Sequence, residues 1–361
     1  MASSRGLLVI NHVMDDSDPF LSHQSEVVRL LASRFPTITV ITGRVGQHSV
    51  PSNVRVISTD WVPGRSIRNT LSFLRITLPV VFSSRHKVVF SHMADLQAAL
   101  IAPFAKLTNK KHFLWYAHSH KSLYLSWASI WVNGIISSTQ GSSPIQGKKV
   151  SLIGQSVNPD MFPQRVPGKV RMDRLIHVGR LDRSKNIHLL IDSTLEIRKL
   201  DPTTTLTLVG SSANTESSSY FAELNRKYES EIKSGVISFV PSMPRSLLPG
   251  VLSTYDVFIH GYRGSLDKTL VEATFSGMPV ITLNPEYIAI FGTWSNANNP
   301  DLYREYVALH AKAPNEITEE LHRRWGIANT SHSSAQWSQK LSEILESDLK
   351  SRVESRTEGL H

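Results

Sequence analysis

Short apolar runs alternate with amphipathic segments along most of the chain, and this alternation constrains the fold more than any other feature. In the first half the runs are "LLVINHV", "TITVIT", "NVRVIST", "KVVFSH", "HFLWYAHS", "GIISST" and "KVSLIG". Segments with helical periodicity, such as "HQSEVVRLLASRF" and "DLQAALIAPFAKLT", lie between several of them. Strand-length runs separated by such segments predict βαβ units and a parallel sheet. The stretch Asn158–Lys169, "NPDMFPQRVPGK", holds three prolines and a glycine and is the best linker candidate. The alternation then restarts with "DRLIHVG", "TTLTLVG", "VISFV", "DVFIH" and "PVITLN". From Ser331 the text is expected to form one polar helix, with an apolar stripe at Trp337, Leu341, Ile344, Leu345 and Leu349. The expected fold class is α/β: two doubly wound Rossmann-like domains joined by a linker and facing a cleft. Ligands in such sheets sit beyond the carboxyl ends of the strands.

A length of 361 residues suits two domains. With 40% hydrophobic and 19% charged residues the composition is globular, and no apolar run is long enough to span a bilayer. Absence of cysteine excludes disulfides, thiol catalysis and cysteine metal sites. The start, "MASSRGLLVINHVMDDSD", lacks a signal-peptide pattern, so a cytoplasmic location is the expectation. Net charge is +9 and uneven: 17 Lys and Arg stand against 7 Asp and Glu up to Arg165, and 22 against 23 after it. The basic half admits nucleic acid, an anionic membrane surface or an anionic substrate as partner, or simple solubility. No nucleic-acid-binding module is recognisable, and aromatic residues do not interleave with the basic ones.

Chemistry concentrates in two loops of the second half. In "GYRGSLDKTLVEATFSGMPVITLN", Gly261–Asn284, an apolar strand gives way to a helix expected from about Asp267 to Ser276, with Gly277 as its left-handed cap. A helix start offers unpartnered N–H groups and the positive end of a dipole. Ser265, Lys268 and Thr269 add side-chain donors there, which makes an anion site suited to phosphate. Glu272, one turn further on, can accept two hydroxyl hydrogen bonds of the kind a ribose offers. The same residues also fit a purely structural account, with Ser265 or Asp267 as helix cap and Thr269 with Glu272 as a capping box. "HVGRLDRSKNIHLL", His177–Leu190, repeats the pattern of strand, glycine, basic loop and helix. Arg180 and Lys185 there suit a diphosphate, unless Asp182 merely neutralises a solvated loop.

"HVGRLDRSKNIHLLIDS" followed by "GSLDKTLVEATFSGMPVI" resembles the retaining glycosyltransferases of family 4, and the resemblance spans essentially the whole chain. "HFLWYAHSHKSLYLSWASIWVNGIISSTQGSSP" and "KVSLIGQSVNPDMF" resemble the end of the first domain in bacterial members. The resemblance implies the GT-B fold, with an acceptor-side domain over residues 1–165 and a nucleotide-sugar domain over 166–330. Residues 331–361 would form a helix and tail packing back across the domains. By the same resemblance Gly179, Arg180 and Lys185 hold the donor diphosphate and stabilise the leaving group, and Glu272 binds the ribose. Ser265, Leu266, Asp267, Lys268 and Thr269 surround the diphosphate or sugar. His118 faces the transferred sugar, with His92 second. Many members carry a further glutamate where this chain has Gly264; a smaller bacterial set reads "SLDK" there, as this chain does, and Asp267 or Lys268 takes over sugar contacts. The glycine-rich first loop of the family is here "MDDSDPFLSHQSE", so Ser22, His23 and Gln24 are the first-loop and acceptor candidates.

No cofactor and no metal are expected: the donor is a substrate, the cations are Arg and Lys, and Asp15, Asp16 and Asp18 are expected to be solvated. The expected function is retaining transfer of a sugar from a nucleoside-diphosphate sugar to a hydroxyl of a glycan or lipid-linked acceptor, in polysaccharide biosynthesis. The basic domain would meet an anionic inner membrane face. Alternatives are a sugar-nucleotide epimerase of the same fold and a non-catalytic nucleotide-sugar-binding scaffold.

Overall fold

The computed structural model describes residues 6–18, 21–163, 171–212, 214–297 and 299–357, with side chains as far as residue 347. The chain divides into two compact units, one of residues 1–154 and 337–361 and the other of 155–336.

The strands are β1 (Gly6–Met14), β2 (Thr37–Val45), β3 (Val54–Ser58), β4 (His86–His92), β5 (Lys111–Trp115), β6 (Gly134–Ser137) and β7 (Val150–Leu152) in the first unit. The second unit has β8 (Arg174–Val178), β9 (Thr205–Val209), β10 (Ile237–Val240), β11 (Val257–His260) and β12 (Val280–Thr282). All pairings are parallel, in the orders β3-β2-β1-β4-β5-β6-β7 and β10-β9-β8-β11-β12. Each sheet is therefore doubly wound, and strand order reverses between β1 and β4 in one and between β8 and β11 in the other. Helices cover the faces, which is why the strands read as near-continuous apolar runs. Leu7, Val9, Val40 and Phe90 lie in one core, and Leu175, Leu206, Leu208 and Ile259 in the other.

Three details depart from the sequence expectations. The units divide at Gly154, not at residue 165, because the chain has already joined the second unit by Gln155. The Gln155 N–H donates to His332 Nδ1, Val157 pairs with the chain at Ser333, and Phe162 is buried in that unit's core. Residues 164–169 of the expected linker lie outside the described residues. The helix expected from Ser331 is two helices: Pro314–His332 ends where Ser333 turns extended, and Ser334–Thr357 follows. Trp337, Leu341 and Leu345 of that last helix enter the first unit's core, with Trp337 edge-on to Trp115 at 5.2 Å. Leu349 lies in this helix, beyond the last described side chain. Finally, "HFLWYAHS" is a strand only as far as Trp115, which leaves His118 in the loop beyond it.

Candidate active site

The reversal between β8 and β11 brings the two chemistry-bearing loops side by side. β8 runs into residues 179–186 and β11 into residues 261–267. Gly261 makes the approach feasible, since a Cβ there would lie 2.8 Å from the Lys185 carbonyl oxygen. The neighbouring Asn186, in the left-handed conformation at φ 53°, donates its Nδ2 to the Gly261 carbonyl at 2.8 Å.

Lys185 closes a short 3-10 turn, Arg183–Lys185, whose N-cap is Asp182. Its buried ammonium is paired with Asp267 and sits 4.0 Å from the centroid of the Tyr262 ring. Asp267 also accepts from His260 Nε2 at 3.3 Å. Burial opposes the charge on Asp267, but the Lys185 ammonium and the His260 hydrogen bond outweigh it and hold the carboxyl well below the usual range. His260 is fully buried; desolvation lowers its pKa, against the pull of Asp267, and favours the neutral ring. Its Nδ1 takes the Thr282 hydroxyl at 3.2 Å. Behind it lies His177, with ring centroids 5.6 Å apart; desolvation pushes His177 from 6.5 to about 3, helped by His260 and Lys185. The result is a buried polar column in which one lysine and one aspartate carry the charge.

The helix Lys268–Phe275 begins beside this column. Asp267 is its N-cap residue but makes no side-chain capping bond, because its carboxylate is turned to Lys185. Gly277 ends it at φ 67°, the left-handed cap expected of a glycine. Glu272 is buried and ion-paired with Arg245, a residue of the 3-10 turn Arg245–Leu247. Its second oxygen, Oε2, and the hydroxyl of Thr269 are both buried without a hydrogen-bond partner among the described residues. Such groups are costly to bury unless something bonds to them. Ser265 and Leu266 are buried and Lys268 half-buried. The loop carrying them is held by Asn284, whose Nδ2 reaches the carbonyls of Tyr262, Gly264 and Ser265 at 3.1–3.2 Å, and by Gln155, whose Nε2 reaches that of Leu266 at 2.8 Å. Arg180 is exposed and only loosely paired with Asp182, at 3.4 Å. Gly179 packs over His177, where a Cβ would come within 3.0 Å of Nε2. Beyond the ends of β8, β9 and β10 lies an open cavity of about 220 Å³, lined among others by Leu181, Gly210, Ser211, Phe221 and Phe239.

Of the candidates in the second unit, the structure thus gathers Gly179, Lys185, Ser265, Leu266, Asp267, Thr269 and Glu272 around one strand reversal. It adds residues that sequence reasoning missed: Asn186, His260, Tyr262, Arg245 and Asn284. Tyr262 and Asn284 sit within the stretch that drew attention, but their targets are a folded ammonium and three backbone carbonyls, which no local pattern announces.

In the first unit the β1–β4 reversal gathers other candidates. Gln24 is fully buried, and its Oε1 accepts from the N–H groups of His12 and Val13 at 2.9 and 3.0 Å, so it fastens the end of β1. His23 places Nε2 3.4 Å from Met93 Sδ, and Ser22 occupies the N-cap position of the helix His23–Ala32 without a side-chain capping bond. Met93 has φ 60°, rare for a non-glycine residue; its N–H donates to Trp115 O and its carbonyl accepts from His12 Nε2. His92 is buried among Phe90, Trp115 and His23, with ring centroids 5.8–6.2 Å away. His118 is exposed and edge-on to Tyr116. The loop acids do not stand alone: Asp15 accepts from Ser17, Asp16 pairs with Arg29 and Asp18 with Arg44.

The family model for glycosyl transferases group 1 matches residues 164–290, a span that includes both loops. No curated protein matches the sequence. Among solved structures, the chain is similar to the Anabaena protein HepE in complex with UDP-glucose, at 15% identity and a TM-score of 0.73, covering 95% of this chain and 99% of that one. It is similar also to sucrose-phosphate synthase from Thermosynechococcus elongatus, at 14% identity and a TM-score of 0.75, covering 96% and 100%. A glycosyltransferase from Rickettsia africae matches at 11% identity and a TM-score of 0.70, covering 96% and 99%. Residues 164–290 thus match the glycosyl transferases group 1 model, and the two parallel sheets with flanking helices have the fold of these solved structures, the GT-B fold.

Proposed function

We propose that this chain transfers a sugar from a nucleoside-diphosphate sugar to a hydroxyl of a glycan or lipid-linked acceptor, with retention of configuration and without a metal ion, in polysaccharide or glycoconjugate biosynthesis. The observation that carries the reading is the meeting of Lys185 with the start of helix Lys268–Phe275, where Glu272 Oε2 and Thr269 Oγ1 are buried without partners among the described residues. A ribose hydroxyl would donate to Glu272 Oε2, and a phosphate oxygen would accept from Thr269. The diphosphate would take the Lys185 ammonium from Asp267 and recruit the exposed guanidinium of Arg180. The apolar cavity beside Phe221 and Phe239 has room for the base.

As the bond from sugar to phosphate breaks, negative charge grows on the departing diphosphate. Lys185 and Arg180 then stabilise it more than they stabilise the bound donor, which is what lowers a barrier. In the retaining course the acceptor hydroxyl attacks on the face the phosphate leaves, and the leaving phosphate takes its proton. His118 is assigned the contact to the transferred sugar on resemblance alone.

Calorimetric titration with UDP, GDP, ADP, CDP and dTDP sugars tests the site. One base should bind, and Lys185→Ala and Glu272→Ala should each weaken it by about tenfold or more, or about 1.4 kcal/mol. Folded protein that binds none of them would defeat the proposal. The anomeric configuration of the product, read by NMR, tests retention.

A further inference from the structure

The first unit carries an apolar surface that the donor site does not use. The helix Leu123–Trp131, "LYLSWASIW", is apolar on opposite sides. Leu125 and Ala128 face inward and are fully buried, in a cluster with Val132 and Leu114. Leu123, Tyr124, Trp127 and Ile130 lie opposite and are 86%, 51%, 49% and 64% exposed. At 100° per residue these four occupy about a third of the helix circumference. Ser126 and Ser129 lie between the two apolar sides, and the outer side presents two aromatic and two aliphatic side chains to solvent.

The stretch of sequence that carries the helix is strongly basic. Residues 61–159 contain eleven lysines and arginines and a single carboxylate, Asp95. Asp95 is half-buried and accepts the hydroxyl of Ser122, the N-cap of this helix, at 2.5 Å. Exposed Lys121 precedes the helix, and exposed Lys148 stands near its other end. There the Lys149 ammonium reaches the Ser129 and Val132 carbonyls at 3.2 and 3.3 Å. The helix packs on Asp95–Leu107, which packs on Ser66–Phe82. Those helices expose Leu107, Ile67, Leu71 and Phe82 beside Lys106, Arg65, Arg68 and Arg75. Among the described residues no helix is long and apolar enough to cross a membrane.

We infer that this face seats the protein on an anionic lipid bilayer, with Leu123, Tyr124, Trp127 and Ile130 entering the headgroup boundary and the flanking bases meeting lipid phosphates. Tryptophan, tyrosine and leucine ringed by lysine and arginine are the side chains that such a boundary accommodates. A protein partner buried against this face would need carboxylates placed to match the flanking bases; a bilayer supplies its negative charge without geometric demands. The inference stands on this surface alone and is independent of the sugar-transfer reading.

Co-sedimentation with vesicles of phosphatidylglycerol and phosphatidylcholine in equal parts tests it. The full chain should sediment with these vesicles and far less with phosphatidylcholine alone. Leu123→Ser/Trp127→Ser/Ile130→Ser should weaken binding by about tenfold or more, as should Lys121→Glu/Lys148→Glu at low salt. Both variants should retain nucleotide binding, which separates this surface from the donor site. Brominated lipid should quench wild-type tryptophan fluorescence, and Trp127→Phe should remove most of that quenching, a reading that needs no multiple variant. Wild-type protein that stays in solution with the anionic vesicles overturns the inference. So does a wild-type dimer that the triple serine variant converts to monomer without any vesicle binding, since the face would then belong to a second copy.

Discussion

The pairing of Lys185 with Asp267 leads to a prediction with an uncommon sign: neutralising a residue inside the site should strengthen ligand binding. In Asp267→Asn the ammonium keeps its place over Tyr262 and loses its counter-charge. The Asp267 side chain is 20% exposed, so an effective dielectric no higher than the value of about 20 for pairs near a protein surface applies. A phosphate oxygen bonded to Lys185 and about 5 Å from the carboxylate would, at a dielectric of about 20, be repelled by about 3.3 kcal/mol, or roughly 250-fold in affinity before solvent and counter-ions screen it. The variant should therefore bind nucleoside diphosphate more tightly than the wild type by that order. It should also be less stable without ligand by about 3 kcal/mol, the low end for a broken buried pair, because it leaves an ammonium uncompensated. Nucleotide should restore much of that loss. Titration calorimetry of wild type, Asp267→Asn and Lys185→Met, with thermal melts in the presence and absence of ligand, measures both effects. If Asp267→Asn and Lys185→Met fold and weaken binding equally, the carboxylate touches the ligand itself and the reasoning is refuted.

Other parts of the structure carry sharp expectations. Asn284→Ala removes the bonds to three loop carbonyls and the Asn284 Oδ1 cap on Tyr287 N–H, and should cost about 1–3 kcal/mol in denaturant unfolding while weakening nucleotide binding. Trp337→Ala empties the place beside Trp115 and should destabilise by about 3–5 kcal/mol, leaving nucleotide binding in the second unit unchanged. His177 and His112 are pushed from 6.5 to about 3 and His86 to about 4, mainly by desolvation. The unfolded chain takes up these protons first, so their contribution is complete above about pH 6.5 and is lost as pH falls toward 4; melts between about pH 7.5 and 4.5 should show a declining midpoint, and a flat profile would contradict the buried neutral rings.

Much of the architecture was legible because a parallel sheet writes itself locally. Every β-rich run in "LLVINHV" to "PVITLN" became a strand, although "HFLWYAHS" stopped at Trp115. The two loops were legible as polar residues placed where strand meets helix. Their joint chemistry was not. Asp267 suits a helix cap by position, and only the adjacency of β8 and β11 presents it with a better partner in Lys185. His260 and His177 are apolar-run residues by pattern, and their burial against that pair depends on the same adjacency. Gln24, a first-loop candidate by position, turned inward to the backbone of β1. The unit boundary escaped because prolines mark where a chain is stiff, whereas the break at Gly154 reflects which sheet the following residues bond to.

The parallel pairing of β8 with β11 has a consequence for how the protein tolerates change in length. Phe258 pairs with Ile176, and nine residues further along each chain stand Asp267 and Lys185, which meet. The two loops leave the sheet together and arrive together because they are equally long. The segment between Leu190 and Asp256 builds the outer strands and their helices and has no such partner to keep step with. Insertions there lengthen an edge connection and leave the meeting point alone. One residue added to either loop alone would carry the ammonium or the carboxylate past its mate. Among descendants of this sequence, the two short loops should hold their lengths as a couple while the long intervening segment drifts.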